Sequence, residues 1–135
     1  MFFVANKKLI PVIFLLLFPL IGNAVNGPKL VCDEPVYQFG RVNQSVVVTN
    51  VFMIRNEGDT TFVAGMPRAT CSCTKVLLSK RMIGPGETAE LTAVFTAERR
   101  IGEQRKTIYL PSSDSEKPTI TFYMQGFVEP FAESH

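Results

Sequence analysis

The chain has 135 residues, room for one domain. Its 14 Lys and Arg against 12 Asp and Glu leave a formal charge of +2, too slight to mark a nucleic-acid or anionic-membrane binder. The one histidine, His135, is the last residue, so a fold built from the preceding chain lacks the base of a Ser-His-Asp arrangement.

Met1 to Lys8 carries Lys7 and Lys8 and no acid, Leu9 to Gly22 is a nearly unbroken apolar run, and Gly22-Asn23-Ala24 follows. A basic start, an apolar run too short to span a bilayer and small residues at the −3 and −1 positions predict a signal peptide, residues 1–24. Pro11 and Pro19 work against a spanning helix, so no stable membrane insertion is expected after cleavage. The expected location is outside the cytoplasm, in the periplasm or at the cell surface. Loss of Lys7 and Lys8 leaves twelve bases facing twelve acids, and no nucleic-acid partner is expected.

Residues 25–35 read as an N-terminal extension and 36–130 as the folded domain. Leu30 to Val31 and Val36 to Phe39 are short apolar pieces split by Asp33-Glu34-Pro35. Ser45 to Arg55 is rich in β-branched residues and predicts a long strand, with Val48, Phe52 and Ile54 on one face. Asn56-Glu57-Gly58-Asp59 is a turn. Thr61 to Ala64 is the return strand, and Gly65-Met66-Pro67 leads out of the sheet. Cys71 and Cys73 come next, then a short strand, Lys75 to Leu78, and a linker, Ser79 to Ile83. Gly84-Pro85-Gly86 predicts a tight turn with positive φ at a glycine. Glu90 to Thr96 alternates, with Leu91, Ala93 and Phe95 on one face. Gly102 opens a strand in which Ile108 and Leu110 point inward, and Thr119 to Val128 closes the domain with Ile120, Phe122 and Met124 on one face. Arg99-Arg100 and Arg105-Lys106, flanked by Glu98 and Glu103, read as a solvated turn and edge.

About seven short strands with a turn signal every 8–12 residues, and no sustained helical period, predict an all-β immunoglobulin-like sandwich. There is no Trp and no cysteine spacing of the antibody type.

Six pieces in order carry a resemblance: Phe39-Gly40-Arg41-Val42; Phe52, Ile54, Asn56 and Gly58 in an F-x-I-x-N-x-G pattern; Cys71-Ser72-Cys73-Thr74; Ile83-Gly84-Pro85-Gly86-Glu87; Leu91 to Phe95 with Gly102; and Gly126-Phe127-Val128. Together, over residues 36–128, they resemble a bacterial family of exported domains known as domain of unknown function 1573. The resemblance implies an immunoglobulin-like sandwich and no established activity. Members usually carry Gly between the two cysteines, where this chain has Ser72.

The cysteines admit four chemistries. They can be small apolar packing residues. Cys32 can bridge to Cys71 or Cys73, leaving one thiol over. Cys71 and Cys73 can hold copper(I) as thiolates, with Met66 or Cys32 as a further soft ligand. Or they can exchange with other thiols: side chains two apart on a flat strand sit too far apart to bridge, but a turn brings them together. The expectation is an exported, non-enzymatic binding or structural module with a protein partner and no cofactor. The alternative is a thiol-based copper or redox protein working through Cys71 and Cys73.

Overall fold

The computed structural model describes residues 27–131; the signal peptide read at residues 1–24, and His135, lie outside them. Ten strands run in chain order: β1 Leu30–Val31, β2 Val36–Asn43, β3 Val47–Asn56, β4 Phe62–Val63, β5 Arg68–Ala69, β6 Thr74–Leu78, β7 Met82–Ile83, β8 Thr88–Thr96, β9 Gly102–Pro111 and β10 Thr119–Glu129. One sheet has the order β1-β3-β8-β6 and the other β2-β10-β9-β5, with β4 and β7 paired apart. No helix occurs among the described residues, and none is long and apolar enough to cross a membrane.

The two-residue period decides the layers. Val48, Phe52 and Ile54 of β3 and Leu91, Ala93 and Phe95 of β8 are buried, while Val47, Thr49, Val51, Met53 and Arg55 of β3 face out. Ile108 and Leu110 of β9 and Phe122, Met124 and Val128 of β10 face them from the second sheet. Aromatic rings bridge the layers: Phe52 meets Phe122 at 5.2 Å between centroids, and Phe39 meets Phe95 at 5.5 Å. Each buried phenylalanine contributes roughly 2–3 kcal/mol of apolar transfer. Ala89 and Ala93 alternate with Leu91 and Phe95 along β8, and Ala97 follows just past its end, leaving room for the facing rings.

The family-like motifs interlock in space. The register of β2 on β10 passes from Gln38↔Gln125 to Gly40↔Gly126, so Phe39 is the extra residue of a bulge. A side-chain carbon on Gly126 would occupy the Phe39 ring, so the glycine at 126 is the seat of the phenylalanine at 39. At the opposite end, Glu87 N–H donates to Gly84 O at 3.0 Å, closing a turn with Pro85 at its second position and Gly86 at φ 78°.

The structure revises several expectations. β1 lies inside the stretch read as an extension and pairs with β3 through Leu30↔Asn56 and Val31↔Arg55. β5 follows directly on the exit read at Gly65–Pro67, β7 lies inside the stretch read as a linker, and β2 runs on to Asn43. Lys106, read as solvated, is buried at 9% exposure. It lies two and four residues before Ile108 and Leu110, so the same alternation turns it inward.

Candidate functional site

Thr70 N–H bonds to Thr107 O on β9, and Thr74 N–H then bonds back to Cys71 O at 3.1 Å, making a turn of Cys71 to Thr74. Thr96 N–H donates to Cys73 O and ties the turn to β8. The bend brings the Cα atoms of Cys71 and Cys73 to 5.1 Å, and their sulfurs form a disulfide. Ser72 needs no glycine-like backbone: Arg99 is the one non-glycine with positive φ among the described residues.

The bridge weighed for Cys32 is not formed. Cys32 is a free, half-buried thiol following β1. β1 pairs at the Arg55 end of β3, whereas Thr74 lies across Phe95 from Val48. That span of β3 is roughly 20 Å at 3.3 Å per residue, far beyond the 7 Å reach of a disulfide. Burial pushes the Cys32 thiol above its ordinary range, against the backbone hydrogen bond from Glu34, which opposes the rise, and with the nearby charge of Asp33 adding to it, so the protonated form is favoured.

Cys73 lines a cleft of about 500 Å³ with Ser72, Lys75, Val94, Thr96, Glu98, Arg99 and Arg100. Three cations face one carboxylate there, and no lining residue belongs to an ion pair among the described residues. Arg100 Nε is enclosed without a hydrogen-bond partner. Lys106 lies 5.2 Å from the centroid of the Phe95 ring; burial, and then the neighbouring Arg100, push its ammonium below the ordinary lysine range. The sulfurs differ in surroundings. Cys73 Sγ lies 3.7 Å from Thr74 Oγ1, while Cys71 Sγ accepts the Cys73 N–H at 3.2 Å.

Copper(I) would need this bridge opened to two thiolates. Cys32 lies too far to join them, and among the described residues no three His, Cys, Asp or Glu side chains gather as a metal cluster. The donor set is therefore thin for a resident metal. A second cleft of about 550 Å³ is lined by Gln38, Gly40, Gln125, Gly126 and their β9 neighbours, with no nucleophile.

The other surface feature is an open edge. β6 pairs with β8 alone, through Thr74↔Phe95 to Leu78↔Leu91. Thr96 N–H to Cys73 O and Ser79 N–H to Glu90 O fix the phase of the ladder. Val76 and Leu78 therefore turn their N–H and C=O away from β8. Leu77 is 71% exposed, and register places it in a row with Thr92 and Val51. Val47 and Met53 extend this outer face.

Solved structures share the architecture. A protein of unknown function from Porphyromonas gingivalis W83 superposes with a TM-score of 0.66 at 12% identity, covering 77% of this chain and 48% of that one. This chain thus spans about half of that protein. The ASH/PapD-like domain 7 of human CEP192 matches with a TM-score of 0.56 at 13% identity, over 77% of this chain and 87% of that one. The E. coli chaperone DraB matches with a TM-score of 0.50 at 11% identity, over 80% and 58%. At such identities the likeness is one of fold. No curated protein matches the sequence. The family model described as "Protein of unknown function (DUF1573)" matches residues 30–128, from β1 to the penultimate residue of β10, and the chain belongs to that family.

Proposed function

We propose that this protein is an exported, non-enzymatic module of the periplasm or cell surface that binds a partner protein by strand addition along β6. The observation that carries this reading is the regular, unpaired edge of β6, with Leu77 exposed beside it. The other long edge, β2, is bulged at Phe39, which bends a strand away from flat pairing. An added strand would bond to Val76 and Leu78, and its alternate side chains would continue the outer row of Leu77, Thr92 and Val51.

The test is a photoreactive residue in place of Leu77, with another in place of Glu116, in the protein at its native level. The expected outcome is a discrete protein adduct from position 77 and none from 116. Equal adducts from both positions, or none from 77, would reject edge docking.

A further inference from the structure

We propose that Cys71–Cys73 is a thiol–disulfide exchange site for thiols that carry negative charge, with Cys73 the sulfur attacked and Cys71 the leaving group. The proposal stands independently of docking at β6. Bridging residues two apart closes a tiny loop and removes little entropy from the unfolded chain, so a purely stabilising role has little to offer. The two half-buried cysteines sit beside exposed Ser72, leaving the bridge within reach of solvent, as labile disulfides are.

The asymmetry of the site assigns the roles. Cys73 lines the cationic cleft and Cys71 does not. Cys71 Sγ instead accepts the Cys73 N–H, a bond that strengthens when that sulfur becomes a thiolate. Lys75, Arg99 and Arg100 lack ion-pair partners among the described residues, and Arg100 Nε has no acceptor. Such a field raises the local concentration of an anionic thiol.

The incoming thiol loses its proton to solvent, and its thiolate forms a bond to Cys73 Sγ. The Sγ–Sγ bond breaks, and its electron pair leaves on Cys71 as a thiolate under the Cys73 N–H. The attacking sulfur is oxidised into a mixed disulfide and Cys71 is reduced. A second thiolate attacking the mixed disulfide at the substrate's sulfur releases substrate disulfide and leaves Cys71 and Cys73 as a dithiol. Two thiols are thereby oxidised for one protein disulfide reduced.

The experiment uses the full-length protein purified with its bridge intact. It is mixed with glutathione or neutral 2-mercaptoethanol and quenched with an alkylating agent, and the sites are mapped by peptide mass. A synthetic oxidised Thr70–Thr74 peptide is the reference. The expected result is mixed disulfide on Cys73 and alkylation on Cys71, with a glutathione-to-mercaptoethanol rate ratio about tenfold above the peptide's. Lys75→Gln with Arg99→Gln should return that ratio to the peptide's, slowing glutathione, whose thiolate carries the larger negative charge, more than mercaptoethanol. Should the double variant not fold, raising salt to 1 M must collapse the wild-type ratio in the same way. Mixed disulfide on Cys71, a ratio indifferent to charge and salt, or a bridge no more reactive toward glutathione than the peptide would overturn the proposal.

Discussion

Asn56 has no exposed surface, yet it is a polar residue at the end of a strand. Its Oδ1 accepts the N–H groups of Lys29 at 3.1 Å and Gly58 at 2.9 Å, and its Nδ2 donates to Thr60 O and Ile83 O, both at 2.8 Å. Its backbone adds bonds to Glu87 O and from Gly86 N–H. One residue therefore fastens the segment before β1, the turn after β3 and β7 through its side chain, and the turn behind β7 through its backbone. Gly58 is glycine because a side-chain carbon there would strike the backbone of Gly27 to Lys29. Asn56→Ala should cost about 3 kcal/mol, the price of several buried groups left unpaired, read as a lower urea midpoint. Asn56→Asp should fare no better, since a carboxylate would face two carbonyl oxygens. In sequence, Asn56 and Gly58 read as turn formers and as part of a family-like pattern, with no sign of what they bond. Their partners lie up to 31 residues away, beyond any local pattern. The cysteine turn was more legible, because only a bend allows residues two apart to bridge; what could not be read was that the bend is made, and that Cys32 sits at the far end of β3.

Among elements, β6 and β2 show how differently two edges can be finished. β2 carries its bulge and a glycine at φ 70°, while β6 keeps an unbroken register over five residues. A proline at an edge position whose N–H faces outward removes no ladder bond. Val76→Pro should therefore cost only about 1 kcal/mol, chiefly from lost side-chain packing, and should abolish the adduct expected at Leu77. A loss of several kcal/mol would mean that Val76 N–H is already engaged. The long strands announce themselves through alternation, as in β8, where Ala89, Leu91, Ala93 and Phe95 are all buried. The two-residue strands show no such period: β4 falls in the stretch read as a return strand, but nothing local marks β1, β5 and β7 as strands. They exist through pairings such as Phe62↔Ile83 and Ala69↔Ile108 that only the assembled sheets create.

For the molecule as a whole, near-balanced charge conceals one uneven spot. Lys106 lies near Arg100 and against the Phe95 ring, and burial pushes the Lys106 ammonium below its ordinary value of 10.5. The fold thus disfavours its proton relative to the unfolded chain. Between the folded pKa and 10.5 the unfolded state binds more protons, so this contribution to stability rises with pH and is absent at neutrality. Lys106→Met keeps the volume and gives Phe95 a sulfur neighbour. It should raise stability at pH 7 by about 1 kcal/mol and flatten the alkaline rise, as denaturant titrations at pH 7 and pH 10 would show. A variant less stable at pH 7 would mean that the ammonium reaches water or an anion.

The central place of β10 in the second sheet also orders events in time. It pairs in parallel with β2, near the start of the described chain, and antiparallel with β9. The first sheet draws on nothing beyond Thr96, so a chain made from its N-terminus onward releases all of it early. β2 has no neighbour until Thr119–Glu129 arrives, and Phe39 has no Gly126 to rest on. The sandwich cannot be finished strand by strand as the chain emerges; closure is a single late event, and until then the inner faces of both layers are open to any passing chain.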